Sequence, residues 1–451
     1  MPLLSSQSGV TAKAFGLTSS QFASIGGGYW ASWVIKASPA ADVLSGFAST
    51  TIDSSGNLFL GLRVNQVDGT AYLYKVDSTG AIVWQTYLGN TGTVEAFDTV
   101  TVDSSGNIYA AGYTTSAGNG LLITKYNSSG VLQWQKNIIN TWTSSAVASM
   151  VVDSSGNLYL TGNVFTGVGT PTLDAFVMKL DTSQNISWQR FLSTTGDQYA
   201  YKMLLDNSGN NVYVVVNDFG TSPFSGSLIK YNSSGTLQWQ RKLTAGTGSG
   251  LYLFSLTIDS SDNIYIAGLT SASPVQRAVL AKYNSSGILQ WGKDVSLSFS
   301  GTYAVDVKLD ASNNIYVSHI ISASGTGYAI SKFDNSGNIL WSREVRYNNG
   351  NFGRTLEVQG SDIYSTGGYI DGGIYTQTIC KFPTDGTRTG IYKIPGAAGP
   401  VVLYTGLSSS VASNSWADQA GTLTDSAGNF FAPTNTTLTS AAGLLTNYIA
   451  T

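Results

Sequence analysis

One cysteine and one histidine occur in 451 residues. The single cysteine, Cys380, excludes an intrachain disulfide; beside Lys381 in an apolar strand-like run it reads as a buried, inert thiol. The single histidine, His319, excludes a histidine-based metal site, because zinc sites draw on several His or Cys ligands, and it reads as a partly exposed strand-end residue. Charged residues make up 11 % of the chain, against about 25 % in ordinary soluble domains. A net charge of −3 supplies no positive field, so neither nucleic acid nor membrane insertion is expected. Glutamate is confined to Glu95, Glu344 and Glu357, so paired catalytic carboxylates would have to be aspartates. No apolar run approaches the roughly eighteen residues of a membrane helix. Met1-Pro-Leu-Leu-Ser-Ser lacks the basic start and apolar core of a secretory signal. Neither a Gly-x-Ser-x-Gly elbow nor a phosphate-binding Gly-x-x-x-x-Gly-Lys-Ser/Thr loop occurs, and no segment has a helical period.

Glycine (51 residues), serine, threonine, asparagine and aromatics fill the deficit, the profile of an all-β chain rich in turns. A turn motif recurs about every fifty residues: Asp53-Ser-Ser-Gly-Asn57, then again from Asp103, Asp153, Asp206, Asp259 and Asp310, with a worn copy at Gly360-Ser-Asp362-Ile363-Tyr364. A fixed period of this length marks an array of like supersecondary units, so the length does not translate into three domains. In the second unit, Asp98–Asp103 alternates as a strand and Ser104-Ser-Gly-Asn107 turns it, with Gly106 at positive φ and the Asp103 carboxylate accepting from the backbone. Strands follow at Ile108–Gly112, Leu121–Tyr126 and, after the turn Asn127-Ser-Ser-Gly130, at Val131–Lys136. Four short antiparallel strands per unit make a propeller blade. The turn aspartates already have backbone work, so calcium is not expected there.

Two further positions keep the period. Trp84, Trp134, Trp188, Trp239, Trp291 and Trp341 fall in the fourth strands, with Tyr392 in the degenerate seventh unit, and read as wedges between neighbouring blades. Lys75, Lys125, Lys179, Lys230, Lys282, Lys332 and Lys381 end the third strands; their stems would lie along the blade face, or they would form a cationic ring. Trp33, in Tyr29–Lys36, precedes Asp53 by the interval that separates the other tryptophans from the next turn. Residues 29–36 would then supply the outer strand that seals the last blade, unless residues 391–394 hold that place.

The repeat resembles the bacterial β-propeller repeat family, whose Asp-Ser-Ser-Gly-Asn and Lys-x-Asp-Ser-Ser-Gly-x-x-x-Trp elements match Asp153–Gly162 and Ala175–Trp188 closely. The likeness covers about residues 45–395 and implies a seven-bladed β-propeller of four-stranded antiparallel blades. The second half of each unit is also similar to the tryptophan-docking stretch of quinoprotein propellers, but the quinone- and calcium-binding residues are missing, so no redox activity, cofactor or metal is implied. Residues 1–28 and 396–451 do not repeat and read as N- and C-terminal arms flanking the propeller of residues 29–395. With their Ser/Thr/Gly-rich character they are similar to the ends of tailed-phage virion proteins. That likeness implies a non-enzymatic tail, fibre or capsid-associated component, located in the virion, docked to other virion proteins through its arms in an oligomeric assembly. Two other functions remain open. One is an extracellular or cell-surface carbohydrate-binding propeller that holds a host-surface glycan on aromatics such as Tyr113, Phe165 or Phe219. The other is an enzyme with its site at the mouth of the channel.

Overall fold

The six aspartate-led copies of the turn motif close their hairpins by like bonds, the copy at Asp206 one residue longer than the rest. The Asp103 backbone carbonyl accepts from Gly106 N at 3.0 Å, and its N–H donates to Asn107 O at 2.9 Å. Its carboxylate accepts from Ser105 N, Asn107 N and the Asn107 side-chain amide at 2.8–2.9 Å. Asp53, Asp153, Asp206, Asp259 and Asp310 are engaged in the same way. The fourth turn residue needs positive φ, which Gly106 supplies at 78°. Asp262 and Asn313 take that place at 59° and 61°, as short polar side chains can.

The computed structural model describes residues 16–23, 29–38, 44–64, 71–89, 94–115, 120–139, 145–165, 173–193, 196–220, 222–245, 249–271, 276–297, 301–321, 327–346, 355–371, 374–386, 390–392, 402–406, 409–413, 417–420, 424–427 and 432–433. Its strands build seven antiparallel sheets. Blades 1 to 6 span residues 44–88, 95–139, 145–193, 198–244, 251–297 and 302–346. Blade 7 takes Leu356–Gln359, Asp362–Asp371 and Ile374–Pro383. The first strand of each blade touches the first strand of the next, and that of blade 7 touches that of blade 1. The contacts close a ring of seven: an all-β, seven-bladed β-propeller whose first strands surround the axis.

Seven hydrophobic clusters lie one at each blade interface. In the second strand of blade 2, Ile108 and Ala110 face blade 1 whereas Tyr109 and Ala111 face blade 3. Both faces are covered, which is why Ile-Tyr-Ala-Ala shows no polar alternation.

Polar stitches reinforce each interface at the turn side. Trp84 and Trp188 donate from the indole to the carbonyls of Ser128 and Ser233 in the next blade, at 3.1 and 3.0 Å. The indoles of Trp84, Trp134, Trp188, Trp239, Trp291 and Trp341 also lie 5.9–6.2 Å from the second-strand aromatic of their own blade. Two residues further on, Arg190, Arg241 and Arg343 donate to Gly235, Gly287 and Gly386 carbonyls at 2.7–2.8 Å. The seven periodic lysines lay their ammonium groups 4.9–5.4 Å from the ring centroids of Phe59, Tyr109, Tyr159, Tyr213, Tyr265, Tyr316 and Tyr364. Lys179, Lys230, Lys332 and Lys381 reach on to carbonyls of the following blade's turn. These lysines are therefore spread around the ring and do not converge on one anion.

Blade 7 obtains its fourth strand from the other end of the chain. Tyr29–Ser38 pairs antiparallel with Ile374–Pro383, Val34 opposite Cys380, and Gly16–Ala23 adds a fifth strand. Continued by one residue, this register sets Trp33 opposite Lys381, as Trp84 stands opposite Lys75. The Trp33 side chain lies outside the described residues, as do residues 1–15 and 434–451. Tyr392 belongs elsewhere, in a short strand Gly390–Tyr392 on the sheet of blade 6. From there the C-terminal segment runs backwards around the rim. It adds Val402–Gly406 to blade 6, Ser409–Ser413 to blade 5, Ala417–Ala420 to blade 4, Thr424–Ala427 to blade 3 and Ala432–Pro433 to blade 2.

Candidate active site

The axis is where this wheel departs from its own repeat. Counted back from each turn aspartate, the fourth residue is Ser49, Thr99, Ser149, Lys202, Ser255 or Asp306. The second is Thr51, Thr101, Val151, Leu204, Thr257 or Lys308. In blade 7, Glu357 faces Tyr364 across the hairpin as Lys308 faces Tyr316. Small hydroxyl and apolar residues are the rule, and Lys202, Asp306, Lys308 and Glu357 break it. A bulge precedes the fourth-back residue in each of blades 1 to 6, the kind of irregularity that re-aims side chains beside functional sites.

Three of these charges are paired. Lys308 Nζ lies 2.9 Å from Glu357 Oε1. Asp306 accepts from Ser255 Oγ at 2.6 Å and from the backbone N–H groups of Val307 and Leu356 at 3.0 and 2.9 Å, tying blades 5, 6 and 7 together. Lys202 comes from blade 4, half-buried, with no carboxylate at ion-pair distance among the described residues. It nevertheless feels Lys308, Asp306 and Glu357, which places all four in one axial field. Burial first, then the like charge of Lys308, push Lys202 below the ordinary lysine range against the pull of Asp306 and Glu357. Burial also opposes the charge of Lys308, but Glu357 and Asp306 hold its pKa above the usual value. The Glu357 carboxyl is raised by burial and by Asp306, with Lys308 pulling the other way.

Next to Lys202, on the side of the wheel away from the turns, the repeat is broken again. Blades 4 and 5 put Tyr201 and Phe254 in their bulges, with rings 5.2 Å apart. Tyr199 and Tyr252 stand two residues earlier on the same strands. Phe219 packs 5.2 Å from Tyr199, 5.4 Å from Tyr252 and 5.2 Å from Phe224. Phe224 is exposed and the other five rings are half-buried. Six aromatics thus cluster beside Lys202, which has no carboxylate at ion-pair distance among the described residues.

Of the aromatics singled out for sugar stacking, Phe219 sits at the centre of this shelf. Phe165 holds the corresponding place on blade 3, and Tyr113 stands opposite Leu121 and Ala96 on blade 2; neither joins the shelf. Cys380 is buried in the interface of blades 6 and 7. Among the described residues no group of three His, Cys, Asp or Glu side chains converges as a metal site. The four axial charges were legible as departures from the repeat, and reading each motif for its consensus passes over them.

His319 differs from its sequence reading. It is fully buried, on the strand face of Ile315, Val317 and Ile321, which pack against blade 5. Neither ring nitrogen meets a hydrogen-bond partner among the described residues. Burial lowers its pKa to about 3, so the folded protein holds it neutral where an unfolded chain would protonate it. Its contribution is complete above about pH 6.5 and is lost as the pH falls towards the folded value. Stability is expected to fall by up to about 1.4 kcal/mol per pH unit in that window. His319→Val, the residue that blade 4 carries there as Val216, is expected to flatten the melting temperature between pH 7 and pH 5. An equal acid loss in both proteins would show that His319 is not the titrating group.

No protein-family model matches the chain, and no curated protein sequence does either. Solved structures share the fold. A structure of an ulvan lyase, of polysaccharide lyase family 25, bound to GlcA(1-4)Rha3S aligns with a TM-score of 0.50 at 12 % identity, covering 75 % of this chain and 95 % of that one. A second ulvan lyase structure aligns with the same score and coverage at 11 % identity. A further polysaccharide lyase reaches 0.48 at 8 % identity, covering 76 % and 90 %. At such identities the likeness shows the fold alone.

The comparisons correct the reading of the chain as a non-enzymatic phage component. Ulvan lyases stand among the structures of this fold, and nothing supports a virion, tail or host-attachment role. The arms that suggested docking to neighbours are, in their described parts, spent on the rim of their own propeller. The expectation of a non-enzymatic chain falls with it, since the fold is one that ulvan lyases share.

Proposed function

We propose that this is a carbohydrate-active propeller that takes an acidic saccharide at the aromatic rim of its channel. The observation that carries the reading is Lys202, an axial cation with no carboxylate at ion-pair distance among the described residues, beside six clustered aromatic rings. Flat rings pack against the C–H faces of sugar rings, and a few placed polar groups set orientation. A sugar carboxylate or sulfate would give Lys202 a direct ion pair. The chemistry that fits a lysine of lowered pKa beside a bound uronate is elimination: the deprotonated fraction of the amine takes the C–H proton next to the carboxylate, the freed electron pair forms a carbon–carbon double bond as the glycosidic C–O bond at the adjacent carbon breaks, and the departing oxygen takes a proton from solvent. The polysaccharide lyases that share the fold make uronate-containing chains the first class to test.

Calorimetric titration with a panel of neutral, uronate-containing and sulfated oligosaccharides tests this directly. Acidic members are expected to bind and neutral ones of equal length to bind at least tenfold more weakly. Tyr252→Ala and Phe219→Ala are each expected to weaken binding about 2–10-fold, the range of one aromatic contact. Binding of no acidic saccharide, or affinity that ignores the shelf variants, would refute the assignment.

A further inference from the structure

A bulge disrupts the ladder around it, and the backbone groups beside it need partners from elsewhere. The bulges of blades 1, 2, 3 and 6 hold Ala48, Asp98, Ala148 and Val305, whereas those of blades 4 and 5 hold Tyr201 and Phe254. Each aromatic bulge is gripped by an asparagine of the blade before it. Asn163 Oδ1 of blade 3 accepts from the backbone N–H of Ala200, the residue before Tyr201, at 2.8 Å. Asn217 of blade 4 holds Leu253, the residue before Phe254, by both backbone groups. Its Oδ1 accepts from Leu253 N at 2.8 Å, and its Nδ2 donates to Leu253 O at 3.0 Å.

The two asparagines share one place, four residues after the second-strand aromatic of their blade. The other five blades carry Arg63, Tyr113, Leu269, Ile320 and Gly368 there. Asparagine thus stands at this place in two blades of seven, and those two precede the aromatic bulges. Leu269 and Ile320 show that a blade interface accepts an apolar side chain there, so adhesion alone does not call for an amide.

Asn217 is fully buried. Burial first, then the neighbouring Tyr199, push the Tyr201 hydroxyl above its ordinary pKa, and a hydrogen bond with the Asn217 side chain opposes them. One amide therefore touches both strands that carry the Tyr201–Phe254 ring pair, 5.2 Å apart across the blade boundary. Asn163 acts on the charged member of the site, because Lys202 follows Ala200 by two residues on the same strand.

We propose, resting on the carbohydrate reading, that Asn163 and Asn217 are positioning residues of that site: Asn163 sets the bulge that presents Lys202, and Asn217 sets the ring pair of Tyr201 and Phe254. Neither amide touches the sugar. Each acts through the strand it holds, so the two fail differently when removed.

Leucine, which blade 5 carries at this place, is the substitution for both. Asn217→Leu is expected to weaken binding of the uronate-containing oligosaccharides about 3–10-fold while turnover stays within about threefold, because the rings bind and the base lies on the other strand. Asn163→Leu is expected to cut turnover about tenfold or more, the effect of a misplaced base. Calorimetric stoichiometry counts the folded sites, and turnover is expressed per site so counted, so loss of folded protein moves neither number. Serine at each place is the milder variant and carries the test where leucine does not fold. Asn207 supplies the control. Its side-chain amide also ties blade 4 to blade 5, at Asp259 O and Asp262 Oδ1 on the turn side, at 2.8 and 2.6 Å. Asn207→Ala is expected to leave affinity and turnover per site unchanged. Native affinity and turnover in both asparagine variants, or an affinity loss in Asn207→Ala equal to that in Asn217→Leu, would overturn the positioning role alone. An unsubstituted chain that binds no acidic saccharide would overturn it together with the carbohydrate reading.

Discussion

Lys202→Arg is expected to keep the affinity for an acidic saccharide within about threefold and to cut turnover by about 10²–10⁴. The argument separates charge from proton transfer. Arginine supplies the same charge, but it does not deprotonate near neutral pH and cannot serve as a base. Lys202→Ala removes both functions and is expected to lose affinity for acidic members of the panel as well. Native turnover should rise with pH until it passes the Lys202 pKa, which burial and the Lys308 charge hold below the ordinary lysine value of about 10.4. Accumulation of an unsaturated sugar, followed by its ultraviolet absorbance, measures the reaction. Turnover by Lys202→Arg at the native rate would remove Lys202 from catalysis and leave it as a binding group. Loss of binding by Lys202→Arg would instead show that the site reads the shape of the ammonium.

The second large effect concerns the stitches between blades. Gly235→Ala is expected to cost about 2–5 kcal/mol, and Gly209→Ala about 1–2 kcal/mol, although both glycines close tight turns of one blade. Their φ values are alike, 76° and 70°, so the left-handed strain is shared. Their surroundings differ. A Cβ on Gly235 would stand 2.5 Å from Cδ2 of Trp188, whereas one on Gly209 would meet nothing within 4 Å. Moving the indole also disturbs the turn carbonyls that accept from Trp188 and Arg190 at 3.0 and 2.7 Å. Melting temperatures of the two variants, measured together, isolate the clash. Equal losses would mean that the turn conformation alone requires glycine and that the tryptophan contact carries little. Restoration of Gly235→Ala by Trp188→Leu would assign the excess to the indole.

Much of this molecule is periodic, and periodic information survives in one dimension. The turn aspartates are satisfied by donors two to five residues away, so Asp103-Ser-Ser-Gly-Asn107 specifies its hairpin locally. The interval from Trp33 to Asp53 matches that from Trp239 to Asp259, and the strand that holds Trp33 lies in the fourth place of blade 7. His319 was misjudged because strand position says nothing of the sheet face stacked on it. The course of the C-terminal segment around the rim escaped for a related reason. Its strands are short and hydroxyl-rich, with no apolar alternation, and they gain their partners from edges that exist only after the ring has closed.

By itself the sequence determined seven like units, the hairpin turns and the residues that recur at each interface, because those depend on contacts a few residues apart or on one repeated step. Which departures from the repeat matter was decided by the tertiary structure alone. Lys202, Asp306, Lys308 and Glu357 are spread over 156 residues of chain and read as scattered charges. They become one field only when the radial packing of seven sheets brings the first strands to a common axis, where burial makes each charge felt by the others.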